Sequence, residues 1–255
     1  MKIVVIGGTG LIGSKVVGLL RRGGHDVIAA SPSGGVNTYT GDGLDAALAG
    51  AETVIDLANA PDFADGPVLD FFLTAGRNLL AAEARAGVRR HIALTVVGGE
   101  RLLDSGYLRA KLAQESLIRA FAKDHVILRA TQFFEFLPAI AQQATVGDTV
   151  RLSPGLVQPI ASDDLAEAVA ELAFRPEVRG IVEIGGPEAF PMCDLVQKYL
   201  AAIGDKRHVV ADADAPYFGA VLAERSLVPG PAATIAPTHF DDWFKARAAS
   251  PSRAA

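Results

Sequence analysis

A chain of 255 residues, half of them apolar, has material for one sizeable core or for one domain with a small lobe, and this excludes disorder. A formal net charge of -5 without any long Lys/Arg cluster excludes a broad nucleic-acid-binding surface. The single Cys193 rules out an internal disulfide and no Cys/His spacing resembles a zinc site, so no metal is expected and a reducing cytoplasm fits.

Lys2 opens the apolar run Ile3 to Ile6, which reads as a central parallel strand buried on both faces. A secretory signal is the competing reading. Gly7, Gly8, Gly10 and Gly13, then Lys15, Arg21 and Arg22, break the run before any cleavage site, and no stretch is long and apolar enough for a membrane span. Two glycine patterns overlap: Gly8-x-Gly10-x-x-Gly13 and Gly7-x-x-Gly10-x-x-Gly13. In either, one glycine turns the chain, one lets a pyrophosphate approach the backbone, and Gly13 lets a helix pack close to the strand. The helix carries Leu11, Ile12, Val16, Val17, Leu19 and Leu20 as one stripe, and its bare N-terminal amides favour negative charge. With the strand Asp26 to Ala30 following, the stretch predicts dinucleotide binding by Gly7, Thr9, Gly10, Leu11, Ile12 and Gly13.

The second strand runs into Ser31-Pro32-Ser33, with no carboxylate to hold paired ribose hydroxyls. Ser31 and Ser33 can donate to a 2′-phosphate, which points to NADP with NAD possible, or they are ordinary loop residues. A short third strand is expected near Asn37 to Thr40. Asp42 in the next turn either approaches the adenine or serves the turn itself. A helix over Leu44 to Leu48 and a buried strand over Thr53 to Ala58 follow, and Ala58, Asn59 and Ala60, past that strand's carboxyl end, are expected to line the cofactor crevice. Val68 to Ala86 reads as a helix whose phenylalanines are packing.

After the strand His91 to Val97, a helix opens with Ser105-Gly106-Tyr107 and runs to about Ala122. Tyr107 and Lys111 are four apart, hence on one helical face. An ammonium beside a phenol lowers the phenol's pKa and favours proton donation to a carbonyl during hydride transfer. Beyond the strand His125 to Ala130, Phe133, Phe134 and Phe136 cannot all face one way, so one or two are expected on a substrate pocket and the rest in the core. Capping alone accounts for Ser162-Asp163-Asp164 before a helix to about Phe174. Gly180 to Gly186 reads as a strand, Asp194 to Ile203 as a helix, and Ala248 to Ala255 as a frayed end.

The Gly7 to Gly13 start, the alternating strands and helices, and Tyr107-x-x-x-Lys111 together resemble the short-chain dehydrogenase/reductase superfamily. Leu128-Arg129-Ala130-Thr131-Gln132-Phe133-Phe134-Glu135 and Gln158-Pro159-Ile160-Ala161-Ser162-Asp163-Asp164-Leu165-Ala166 are similar to its atypical, NmrA-like branch. The resemblance implies Tyr107 as the acid and Lys111 as the holder of the nicotinamide ribose. The superfamily's serine is missing, and Thr95 stands in its place, its hydroxyl either a substitute polarising group or that of an ordinary strand residue.

The expected fold is α/β, a doubly wound parallel sheet over residues 1-150 with a small C-terminal substrate lobe over 151-255, partly integrated with it. The expected function is NADP-dependent hydride transfer to a small carbonyl or quinone-like substrate, with no nucleic-acid or membrane partner. An NmrA-like NADP-binding redox sensor without catalysis is the alternative.

Overall fold

Unbroken apolar strands have to be covered on both sides, and the sheet is built so that they are. In the computed structural model, which describes residues 1–249, Ile3 to Ile6 of strand β1 (Lys2–Ile6) are at most 4% exposed. β2 (Asp26–Ala30) pairs with β1 on one flank, and β3 (Thr53–Asp56), β4 (Arg90–Val96) and β5 (His125–Ala130) extend the sheet on the other. Three short strands lie outside it: β6 (Thr145–Val146), β7 (Thr149–Leu152) and β8 (Leu156–Val157). β9 (Gly180–Gly185) returns to the sheet beside β5. After β10 (Phe190–Pro191), β11 (His208–Ala211), β12 (Pro216–Tyr217) and β13 (Ala220–Val221), the edge is closed by β14 (Thr234–Ile235). The seven-stranded order is β14-β9-β5-β4-β3-β1-β2, with every pairing parallel. Chain order reverses between β1 and β3, which creates a crevice at the carboxyl ends of the strands.

Alternation along the strands divides the helices between two faces. Eight are present among the described residues: α1 (Leu11–Arg22), α2 (Leu44–Leu48), α3 (Asp65–Ala86), α4 (Gly106–Phe121), α5 (Leu137–Gln143), α6 (Ser162–Leu172), α7 (Met192–Ala202) and α8 (Phe240–Ala249). On one face α1 and α6 bury Val16, Val17, Leu20, Leu165 and Val169 against Ile3, Val5, Ile55 and Val126. On the other, Leu44, Leu48 and Leu79 of α2 and α3 cover Val4, Ile6 and Val54, and Ile118 of α4 covers Ala93 and Ile127. This is a doubly wound Rossmann-like fold. No helix among the described residues is long and apolar enough to cross a membrane.

The strand expected near Asn37 to Thr40 does not form. Asn37 Oδ1 accepts from the Tyr39 amide at 2.9 Å, the Gly41 amide closes back on the Asn37 carbonyl, and Asn78 of α3 donates to the Thr38 and Tyr39 carbonyls. Local Asn and Gly turn chemistry, reinforced from α3, takes the backbone groups that a strand would need, and β2 becomes the sheet edge.

A second core gathers Phe134, Leu137, Val150, Leu152, Leu195, Leu200, Phe240 and Trp243. The boundary expected at residue 150 falls inside β7, since α5 before it belongs to this lobe while β9 and β14 after it complete the main sheet. Capping does not account for Ser162-Asp163-Asp164, because the residue at the N-cap is Ala161. Lys15 of α1 donates to Ser162 Oγ (2.7 Å) and pairs with Asp163 (2.7 Å). Ser162 Oγ donates to Glu135 (2.5 Å), which also accepts from Trp243 Nε1 (3.1 Å), while Asp164 accepts from the Thr238 hydroxyl. These bonds run from α1 to α8 and join the two cores. Ala248 and Ala249 belong to α8, and the remainder of the expected frayed end lies outside the described residues.

Thr95 and Arg129 are register partners on β4 and β5 and share a face of the sheet. Glu115 of α4 reaches both: it accepts from Thr95 Oγ1 at 2.7 Å and from Arg129 Nη2 at 2.6 Å, with the two charged side chains 6% and 13% exposed. Removing one partner of such a pair strands the other charge, whereas replacing both by apolar groups is often tolerated. Arg129→Met is therefore expected to cost about 3–5 kcal/mol in urea unfolding, and the double variant Arg129→Met, Glu115→Leu to recover most of it.

Candidate functional site

The crevice begins at the turn between β1 and α1. Gly7 is left-handed (φ 70°), and a Cβ there would stand 2.8 Å from the Leu57 carbonyl oxygen, so the turn runs directly against the exit of β3. A Cβ on Gly13 would overlap the Gly7 carbonyl oxygen, and its absence lets α1 settle onto the turn. Gly10 caps α1 without a side-chain bond, no acidic residue lies in the first turn, and the Leu11, Ile12 and Gly13 amides have no backbone acceptor among the described residues. Thr9, Gly10 and Leu11 are exposed around these amides, while Ile12 and Gly13 are buried and offer only backbone. An exposed set of bare N–H groups at the positive end of a helix, kept clear of any Cβ, fits a dinucleotide pyrophosphate.

The far side of the crevice is less committed. Ser31 is buried, Ser33 is exposed, and their hydroxyls lie 3.1 Å apart in a hydrogen bond with each other. Lys15 is held by Ser162 and Asp163, and Arg21 donates to the Val27 carbonyl (2.9 Å), so these two of the three cations of α1 are engaged elsewhere. Asp42 is exposed and accepts from the Thr40 hydroxyl at 2.6 Å, which is turn chemistry. Ala58 and Asn59 follow β3 beside Gly7. Ala60 does not line the crevice, because it is buried against Val68, Phe72 and Ala110.

Tyr107 opens α4 behind the N-cap Ser105, whose hydroxyl accepts from the Leu108 amide at 3.3 Å. Its ring lies 5.3 Å from Phe63, 5.4 Å from Phe218 and 6.4 Å from Phe72 between centroids. Burial among these rings pushes the phenol up to about 12. Lys111 flanks the same Phe72, its Nζ 4.4 Å from the ring centroid, so the pair does share one face of the helix. The expected coupling between them is absent. Lys111, 4% exposed, donates inward to the Leu94 carbonyl (3.0 Å) and to Gln114 Oε1 (2.6 Å), and Gln114 Nε2 donates in turn to Asp56 (2.9 Å). Burial brings Lys111 down to about 8, with Asp56 and Glu115 pulling the other way, and its ammonium braces the exit of β3. The expectation that it lowers the phenol's pKa is thereby corrected.

Thr95 is not a polarising group in this arrangement. It is 3% exposed and its hydroxyl donates to Glu115 on the α4 face of the sheet. The phenylalanines after β5 are also redistributed. Phe134 is fully buried against Phe240 and Trp243, Phe136 is exposed and stacks on Phe133 at 5.1 Å, and the rings paired with Tyr107 among the described residues are other ones.

The rings that do surround Tyr107 come from elsewhere. Phe63 lies in the loop after β3, and Phe218 with Gly219 forms the tip of the β12–β13 hairpin, both at positive φ (47° and 83°) as a type I′ turn requires. Tyr217 beside it packs edge-on to Phe218 at 4.9 Å, and both line a cavity of about 300 Å³ whose charged residues are Arg151, Asp212 and Asp214. Tyr217-Phe218-Gly219, aromatic residues at a glycine turn, was the available signal. Gln132, at the exit of β5, is 8% exposed and neither of its amide atoms has a hydrogen-bond partner among the described residues. Among those residues no three His, Cys, Asp or Glu side chains converge as a metal site.

No protein-family model and no curated protein matches the chain. Solved structures do match in fold. A short-chain dehydrogenase/reductase superfamily protein from Agrobacterium tumefaciens with bound NAD is 21% identical (TM-score 0.71, 98% of this chain and 97% of that one). The Bordetella bronchiseptica enzyme WbmG in complex with NAD is 17% identical (TM-score 0.71, 98% and 93%). A dTDP-4-dehydrorhamnose reductase from Clostridium acetobutylicum is 16% identical (TM-score 0.69, 94% and 90%). At these identities the likeness is one of architecture.

The Lys111 environment has a measurable signature. Its folded pKa of about 8 lies below the unfolded value of 10.5, so between these pH values the unfolded chain binds more protons and stability rises with pH. The penalty for burying the charge is fully present below pH 8 and relieved as pH climbs toward 10.5. Urea midpoints from pH 7.5 to 10 are expected to show the wild type gaining on Lys111→Met as pH rises; parallel curves would contradict this account.

Proposed function

We propose that this protein is a nicotinamide-dependent oxidoreductase that transfers hydride to a small carbonyl or quinone-like substrate. One observation carries the reading: the uncapped, glycine-cleared N-terminus of α1 and the Tyr107 hydroxyl, unpartnered among the described residues, both lie at the carboxyl ends of the same parallel strands. A bound nicotinamide dinucleotide would supply the hydride. The chain supplies the rest. The α1 amides hold the pyrophosphate, the aromatic cluster excludes water, and Tyr107, protonated throughout the neutral range, delivers its hydroxyl proton to the substrate oxygen and is recharged from solvent. Lys111 supports the crevice wall through Gln114 and Asp56. The fold neighbours in complex with NAD, and the reductase beside them, support the cofactor class and the reaction class.

Between the two nicotinamide cofactors, the serine pair at the end of β2 and the absence of a carboxylate in Ser31-Pro32-Ser33 support NADP. Neutral hydroxyl donors give about 1 kcal/mol each, hence a preference of roughly ten- to thirtyfold for the pair. Titration of both cofactors against the wild type and a Ser31→Ala, Ser33→Ala double variant is expected to show that preference and its loss. Equal affinities in the wild type, or a preference the double variant keeps, would overturn it.

A second reading, an NmrA-like redox sensor that binds NADP without turnover, is favoured by the commitment of Thr95 to Glu115 and of Lys111 to the core. Cofactor oxidation across a panel of carbonyls and quinones separates the two. On carbonyls Tyr107→Phe is expected to lower kcat/KM by about 10²–10⁴-fold with cofactor affinity unchanged. Tight cofactor binding with no turnover on the whole panel would establish the sensor instead.

A further inference from the structure

The reaction proposed above needs a donor for the substrate oxygen besides Tyr107, and Thr95 is spent on Glu115. A vacant donor sits at the end of the next strand. Gln132 follows β5, with its backbone carbonyl accepting from the Ile160 amide at 2.8 Å, and its side chain is more than nine-tenths buried with Nε2 and Oε1 both unpaired. Its amide lies beside Tyr217, whose phenol is raised by burial and by the nearby Tyr107 while the Gln132 amide pulls it the other way, so the two tyrosines and the amide are neighbours. Tyr107 and Tyr217 also share Phe218, at 5.4 and 4.9 Å. Leaving two amide atoms buried without partners costs free energy that a folded chain rarely carries unless a ligand completes the bonds.

We propose that Gln132 is a catalytic and specificity-determining residue whose amide grips a neutral α-hydroxycarbonyl substrate, Nε2 donating to the carbonyl oxygen and Oε1 accepting from the adjacent hydroxyl. The inference rests on the oxidoreductase reading. A primary amide with both atoms free matches a group that presents one acceptor and one donor side by side. Lys111, the charged group beside Phe72, is turned into the Leu94 carbonyl and Gln114, and the adjoining cavity holds Arg151 paired with Asp212 at 3.3 Å plus an additional carboxylate, Asp214. Such a site gives no net positive charge to a nucleoside diphosphate. In the reaction, hydride from the reduced nicotinamide dinucleotide forms the new C–H bond at the carbonyl carbon while the C=O π pair takes the Tyr107 proton. The product is a vicinal diol, the cofactor leaves oxidised, and Nε2 stabilises the charge building on oxygen.

The test compares phenacyl alcohol with acetophenone, which differ by the hydroxyl, as oxidants of the reduced cofactor, and UDP-glucose, which has no free carbonyl, as a reductant of the oxidised cofactor, on wild type and Gln132→Met. The wild type should prefer phenacyl alcohol by about tenfold or more in kcat/KM and should not use UDP-glucose. Gln132→Met should lose about 10²–10³-fold in kcat and the discrimination with it, at unchanged cofactor affinity. Its Tm should hold or rise, because an isosteric apolar side chain removes the unpaired atoms; a merely structural glutamine would make Tm fall. If no carbonyl turns over in the wild type, the oxidoreductase reading fails on its own, and equilibrium binding then decides the role of Gln132. Tighter binding of phenacyl alcohol than of acetophenone, abolished by Gln132→Met, would support it. Equal affinities, no binding of either, preferred use of UDP-glucose, or an active Gln132→Met would overturn it.

Discussion

The contact between Gly13 of α1 and Gly7 of the β1 turn is the constraint from which the crevice follows. Because neither residue carries a Cβ, the helix axis lies low against the ends of β1 and β3, and its first amides face the gap where the strand order reverses. Any side chain at Gly13 would lift the helix off the turn. The β-branched run behind it, inaccessible on both faces, gives that turn a rigid base, so the amides are held in place before any ligand arrives.

Across the crevice the polar chemistry is distributed by what has already been used. Thr95 and Arg129 saturate Glu115, and Lys111 saturates Gln114, which saturates Asp56. Each of these groups is buried and satisfied, so it stiffens the sheet and is unavailable to a substrate. Left over among the described residues are the Tyr107 phenol, set among aromatic rings, and, at the exit of β5, the Gln132 amide and the buried Thr131 hydroxyl, both without hydrogen-bond partners. The site is defined as much by this exhaustion of the neighbouring donors as by the residues that remain.

Much of the sheet was legible in the sequence, because a strand buried on both faces leaves a continuous apolar run and a glycine turn leaves its spacing. Asn37 to Thr40 misled because the Asn side chain captures the local amides, a competition that pattern alone does not weigh. Tyr107 and Lys111 were recoverable from helical spacing, but spacing fixes a face and says nothing of where a long side chain ends. Lys111 turns inward to Leu94 and Gln114, a choice made by elements far apart in the chain. Thr95 failed for the same reason, since its partner lies on α4. Phe218 reaches Tyr107 only through a hairpin more than a hundred positions downstream, and Gln132 stands out only once its burial and lack of partners are known.

The bonds from Lys15 through Ser162 and Glu135 to Trp243 tie α1 to the last helix of the described chain. Trp243 is the chain's only tryptophan, and its indole N–H rests on the carboxylate that closes this path. The protein thus has its single indole fluorophore hydrogen-bonded into a path that begins on α1. Its emission reads the state of α1 without a label, and a displacement of that helix by charge at its N-terminus reaches the indole as a change in the field along its N–H bond.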